Sequence, residues 1–152
     1  MTTDRGEKGH EVRLSPAELI GADSLITQRA SGTPYYFSYT LNGSNEETWT
    51  PRFTYYGFRY VQVQGAVPSG SPNAENLPVI TGLQMLHTRN SSPTIGSFKC
   101  SNELFNSIYT LIDWAIKSNL ASVATDCPHR EKLGWLEQSH LMEWFYSGLG
   151  GI

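Results

Sequence analysis

The chain has 152 residues, 39% of them hydrophobic, and a net charge of −3 with no basic run. That is enough for one ordinary domain or parts of two, and it argues against nucleic acid as a partner, because no patch offers to neutralise phosphates. No apolar run is long enough to cross a membrane, and the 2 cysteines form no CxxC pair, which argues against a structural zinc site.

The opening residues, MTTDRGEKGHEVRL, are polar and lack the apolar core of a signal peptide. They leave both cytoplasm and periplasm open. Pro34–Gly43, PYYFSYTLNG, reads as a strand rich in Tyr, Phe and Thr that runs into an Asn-Gly turn. Glu46 and Glu47 after it read as loop surface. Tyr55–Gly65, YYGFRYVQVQG, reads as a second strand with Val61 and Val63 on one face and Phe58 and Tyr60 on the other, both faces partly covered. A Pro/Gly/Ser/Asn loop comes next, and Gly82–Thr88 reads as a third strand. Met85, Met142 and the Tyr35–Tyr36 pair read as packing residues.

The period changes near residue 97. Leu104, Phe105, Ile108, Leu111, Ile112 and Ala115 fall on one helical stripe, which predicts a helix over about residues 102–119. Ser101 is the expected N-cap, and Glu103 sits in the first turn, where the helix dipole favours a carboxylate. ASVATDCP reads as a loop. A second helix is expected to begin at Pro128, a favoured first position, and to run towards Phe145. Strands followed by helices predict an α+β chain, a β domain joined to an α domain. Neither part looks complete by itself.

The densest chemistry lies in TDCPHREKLGWLEQSHL, Thr125–Leu141. A helix from Pro128 would put Glu131, Trp135 and Gln138 on one face. An indole beside Glu131 would exclude water and favour the protonated carboxyl, the form a glycosidase acid must hold. Asp126, ahead of the helix and near Arg130, would stay ionised and accept hydrogen bonds from sugar hydroxyls. The plainer alternative makes Asp126 a helix cap, Glu131 with Arg130 and Lys132 a solvated face, and Trp135 a core residue. His129 and His140 read as polar helix residues, and no metal site is expected.

TDCPHREKLGW resembles the catalytic-loop signature of the bacterial α-L-rhamnosidases, glycoside hydrolase family 78. ETWTPRFTYYGFRYVQVQG is similar to that family's segment at the end of its β-domain, and GSFKCSNELFNSIYTLIDWAIKSNLASVATDCP to its linker strand and first barrel helix. The resemblance spans roughly Pro16–Met142. It implies the end of a concanavalin-like β-sandwich over residues 1–90 and the first helices of an (α/α)6 six-hairpin barrel over residues 91–152. It implies removal of terminal α-L-rhamnose from a glycoside or oligosaccharide with inversion and without an organic cofactor. By resemblance, Glu131 is the general acid, Asp126 binds rhamnose hydroxyls, Trp135 lines the pocket, and Arg130 is a contact or a support for the carboxylates.

Two departures stand out. Many members carry Asp where this chain has Gln138, with Glu137 beside it. The family's general base lies on a later part of the barrel, so Glu137 and Glu143 receive no such role and the chain alone is expected to be inactive. After Met142, EWFYSGLGGI no longer resembles the family. A different class of reading makes the β-rich part a carbohydrate-binding module with Tyr35, Tyr36, Tyr55 and Tyr56 as a stacking platform. A third makes the chain a decayed gene product.

Overall fold

Period-two alternation is strongest in Glu11–Ala17, EVRLSPA, where Val12, Leu14, Pro16 and Ala17 are buried. In the computed structural model, which describes residues 1–31, 34–94 and 96–142, this segment is the centre of a sheet. The strands are β1 (Thr2–Asp4), β2 (Glu11–Ala17), β3 (Leu19–Ile20), β4 (Ile26–Thr27), β5 (Phe37–Thr40), β6 (Glu46–Thr48), β7 (Tyr60–Gln64), β8 (Val67–Pro68) and β9 (Val79–Gly82), followed by helix α1 (Glu103–Asn119). The chain divides into two units, Met1–Leu86 and His87–Ile152.

The first unit holds sheets ordered β5-β2-β7, β6-β1-β9-β8 and β3-β4. β2 pairs antiparallel with β5 from Glu11↔Thr40 to Leu14↔Phe37 and with β7 from Arg13↔Gln64 to Ala17↔Tyr60. A proline in a central strand removes a donor and is normally confined to edges. Pro16 avoids that cost because it lies past the end of the β5 pairing, where Gln28 Nε2 donates to its carbonyl at 2.7 Å. The core gathers Val12, Leu41, Ala66 and Ile80, with Met1, Tyr39 and Val63 packed on it. Gly65 makes the turn from β7 to β8 at φ +74, where a Cβ would meet the Glu11 carbonyl oxygen at 2.3 Å.

The structure corrects several expectations. The Pro34–Gly43 and Tyr55–Gly65 strands shrink to β5 and β7. Tyr35 and Tyr56 instead stack on each other, with centroids 4.6 Å apart and planes 15° apart. The third strand is β9, which ends at Gly82, where the expected one begins. Met85 and Tyr36 are exposed, so neither is a packing residue, although Arg13 lies over the Tyr36 ring at 4.1 Å. Glu47 is not loop surface: it sits on β6 and is 5% exposed.

In the second unit, α1 forms where the periodicity predicts it. Its N-cap is Asn102, whose Oδ1 accepts from Leu104 N at 3.0 Å, and not Ser101. Asp113 and Lys117 pair at i,i+4 along it. Of the described helical residues only Ile116 is buried; Leu104 and Leu111 on the apolar stripe are 65% and 70% exposed. Full burial of such a side chain contributes about 1.5–3 kcal/mol, which this face forgoes.

Candidate functional site

The chain leaves α1 through a short reversal. Leu120 bridges Ala124, and buried Thr125 donates both its backbone N–H and its hydroxyl to the Asn119 carbonyl, at 2.9 and 3.1 Å. Asp126 is thereby fixed directly after a tied segment. The expected helix from Pro128 does not form. Residues 127–135 are irregular, and helix resumes only at residues 136–142; the expected run to Phe145 and the tail from Glu143 lie outside the described residues. Glu131, Trp135 and Gln138 therefore share no helical face.

The reason is side-chain competition for backbone donors. Asp126 N donates to the Leu133 carbonyl at 3.1 Å, and Leu133 N donates back to Asp126 Oδ1 at 2.9 Å. Cys127 N donates to the same oxygen at 2.8 Å. Cys127 Sγ accepts from Glu131 N at 3.1 Å, taking the N–H that a helix would give to the Cys127 carbonyl. Lys132 then adopts φ +55, a left-handed backbone that turns the chain back to Leu133.

All the site residues anticipated from sequence meet in this loop. The Trp135 indole N–H donates to Asp126 Oδ2 at 3.2 Å, so its polar partner is Asp126, not Glu131. Arg130 pairs with Glu131 Oε1 at 3.2 Å, with both side chains about half exposed, so the pair contributes little to stability. Partial desolvation pushes the Asp126 carboxyl up, but its hydrogen bonds with Leu133 N, the Glu131 side chain, Cys127 N and the Trp135 indole outweigh it and hold the group below the usual carboxylate range. Burial pushes Lys132 down, against the attraction of Cys127.

Asp126, Cys127 and Glu131 present ligand atoms within 4.8 Å of one another. Such a set offers a divalent ion three donors, yet both Asp126 oxygens and the sulfur already accept N–H groups of the loop. Sequence reasoning missed Cys127 and Leu133. A cysteine four positions before Glu131 was the available signal for the first; the second acts through its backbone, which carries no residue signature.

Residues 1–85 match the family described as the bacterial α-L-rhamnosidase concanavalin-like domain, and residues 93–148 match the bacterial α-L-rhamnosidase 6 hairpin glycosidase domain. An α-L-rhamnosidase of Formosa agariphila is 37% identical over 135 residues, covering 81% of this chain and 13% of its own. One of Streptomyces avermitilis is 38% identical over 132 residues, covering 86% and 12%. Among solved structures, the α-L-rhamnosidase of Dictyoglumus thermophilum superposes with TM-score 0.76 at 33% identity, over 96% of this chain and 16% of that one. The Streptomyces avermitilis α-L-rhamnosidase complexed with L-rhamnose gives TM-score 0.64 at 36% identity, over 88% and 13%. The chain thus spans only 12–13% of the length of these curated relatives. The strand-rich part followed by helix has the order of a concanavalin-like sandwich and the start of a six-hairpin barrel.

Proposed function

The chain belongs to the bacterial α-L-rhamnosidase family, and from that premise we propose that it carries the acid loop of a glycoside hydrolase that removes terminal α-L-rhamnose by inversion. The sandwich part ends near residue 90 and the barrel part begins near residue 91. Glu131 is the general acid, Asp126 a rhamnose ligand, Trp135 a pocket wall that also holds Asp126, and Arg130 a support for Glu131.

One observation carries this reading: Asp126 gathers loop donors and keeps its charge beside Glu131. A carboxylate has about four acceptor sites. Two on Oδ1 are taken by Cys127 N and Leu133 N, and one on Oδ2 by Trp135. The remaining one is left for a rhamnose hydroxyl, and Glu131, whose carboxyl lies within 4.8 Å, is placed to protonate the glycosidic oxygen. Water then attacks the anomeric carbon from the opposite face and gives its proton to a base. That base is not Asp126, because its ligand oxygen lies within 4.8 Å of that of Glu131, whereas the carboxyls of an inverting pair stand about 6.5–9.5 Å apart to admit water. The base and the remaining walls come from elsewhere, and the uncovered face of α1 is where further barrel helices pack. Alone, the 152-residue chain is expected to turn over no aryl α-L-rhamnoside.

The test is a chimera with residues 93–148 of this chain in place of the matching segment of the Streptomyces avermitilis relative. It is expected to hydrolyse an aryl α-L-rhamnoside and to release the inverted anomer, seen by NMR. Glu131→Gln is expected to lower kcat by about 10²–10⁴-fold. A chimera whose turnover ignores Glu131→Gln rejects the assignment. The carbohydrate-binding reading loses support because Tyr56, stacked on Tyr35, is buried and offers no open platform.

A further inference from the structure

The acid mechanism uses Asp126, Glu131, Trp135 and Arg130 but leaves Cys127 without a task. The thiol is half-buried, and Cys127 is a free cysteine. Its position is not incidental. Asp126 and Leu133 close the base of the loop with two hydrogen bonds, and Glu131 sits within that closed stretch. The loop has no helical ladder to hold Glu131, since the residues around it are irregular. Cys127 Sγ fills that role by accepting the Glu131 backbone N–H at 3.1 Å. Behind Glu131, the left-handed turn at Lys132 allows little latitude, because a non-glycine residue keeps φ +55 only when its surroundings hold it there. Glu131 is thus pinned from the front by a sulfur and from behind by a strained turn.

We infer that Cys127 is a positioning residue for the general acid: its sulfur anchors the Glu131 main chain and so aims the Glu131 carboxyl. The inference rests on the reading of Glu131 as the acid. The side chain needed at this position is one that reaches an amide four positions on and accepts from it. Sulfur does so with a long bond from Cβ. A serine oxygen is a shorter but stronger acceptor, and alanine offers none.

The test is amide hydrogen exchange, read by NMR residue by residue in the full 152-residue chain and in its Cys127→Ala and Cys127→Ser variants. Cys127→Ala is expected to speed exchange at the Glu131 amide by about five- to tenfold, the factor that one ordinary hydrogen bond represents. Cys127→Ser is expected to restore most of the protection. The Leu133 and Val12 amides, which report the loop clasp and the β core, are expected to stay as they are in both. Equal Glu131 exchange in all three proteins overturns the inference. So does a loss in Cys127→Ala that spreads to Leu133, because the sulfur would then be general packing. The Glu131→Gln chimera fails independently: if turnover ignores it while Cys127→Ala frees the Glu131 amide, the anchor stands and the acid assignment falls.

Discussion

Glu47 in the β unit and Asp126 in the helical unit are built alike and differ in access. Each carboxylate gathers backbone N–H groups from a short turn and one donor from an aromatic side chain. Glu47 Oε1 accepts from Gly43 N at 2.9 Å and Ser44 N at 3.2 Å, while Oε2 accepts from Asn42 N at 2.9 Å and the Tyr39 hydroxyl at 2.8 Å. Desolvation pushes it up, yet these donors outweigh that and hold it low, as they do for Asp126. The contrast is access. Glu47 is closed over, 5% exposed, and Tyr39, which packs on the core, donates to it. Asp126 is only half-buried, beside Glu131 and a Trp135 that is 56% exposed. A ring of donors makes a carboxylate stable; an opening is what lets it serve a ligand.

The hardest way to break this comparison is to remove the core from one side. Leu41→Ala is expected to cost about 2–5 kcal/mol in urea unfolding of the β unit. Leu111→Ala on the open face of α1 is expected to stay within about 0.5 kcal/mol. Similar costs would mean that the two regions do not differ in burial. Next comes Asp126, the proposed rhamnose ligand. Asp126→Asn in the chimera is expected to lower kcat/KM by about 10- to 100-fold, the worth of a charge-assisted hydrogen bond. Its thermal midpoint should fall only modestly, because the donors it holds belong to one short loop.

Glu47→Gln is expected to do the reverse in the 152-residue chain, lowering the melting temperature by several degrees. The sign with pH comes from linkage. Glu47 is held below its ordinary range when folded, so its contribution is present above that range and is lost as pH falls through the lowered value. Tyr39 is held up, chiefly by its hydrogen bond to Glu47, so the folded state is disfavoured as pH rises past the ordinary tyrosine range. Melting curves should weaken at both ends, and Glu47→Gln should flatten the acid limb. An unchanged acid limb would remove Glu47 from that account. The smallest expected effect is Trp135→Phe, which deletes one neutral donor to Asp126 and should reduce chimera turnover about three- to tenfold. An unchanged kcat would leave Trp135 as a wall alone.

Much of the molecule was legible where one physical signal ruled. The stripe from Leu104 to Ala115 marks α1 within a residue, because a period near 3.6 has no rival there. Its cap was misplaced by one residue because Ser101 and Asn102 are both good capping types. β2 went unread although EVRLSP alternates cleanly; the charges and Pro16 masked it, and only the register shows why the proline is harmless. The tyrosines beside β5 and β7 suggested longer strands, but ring stacking satisfied them instead. In the loop from Asp126 to Trp135 the sequence pointed to residues that do lie together, but not to their geometry. Helical spacing assumed that N–H groups go to carbonyls, whereas those of Leu133 and Glu131 go to an aspartate and a cysteine.

The clasp between Asp126 and Leu133 has a consequence for how this loop tolerates change. Its two hydrogen bonds join residues seven positions apart, and the anchor from Cys127 to Glu131 spans four of them. The number of residues in this ring is fixed by its hydrogen bonds: one insertion between Cys127 and Glu131 puts a different amide against the sulfur, and one between Glu131 and Leu133 pulls the clasp out of phase. The loop is thus gauged by count, so a substitution alters what the ring presents, whereas an insertion or deletion dismantles the ring.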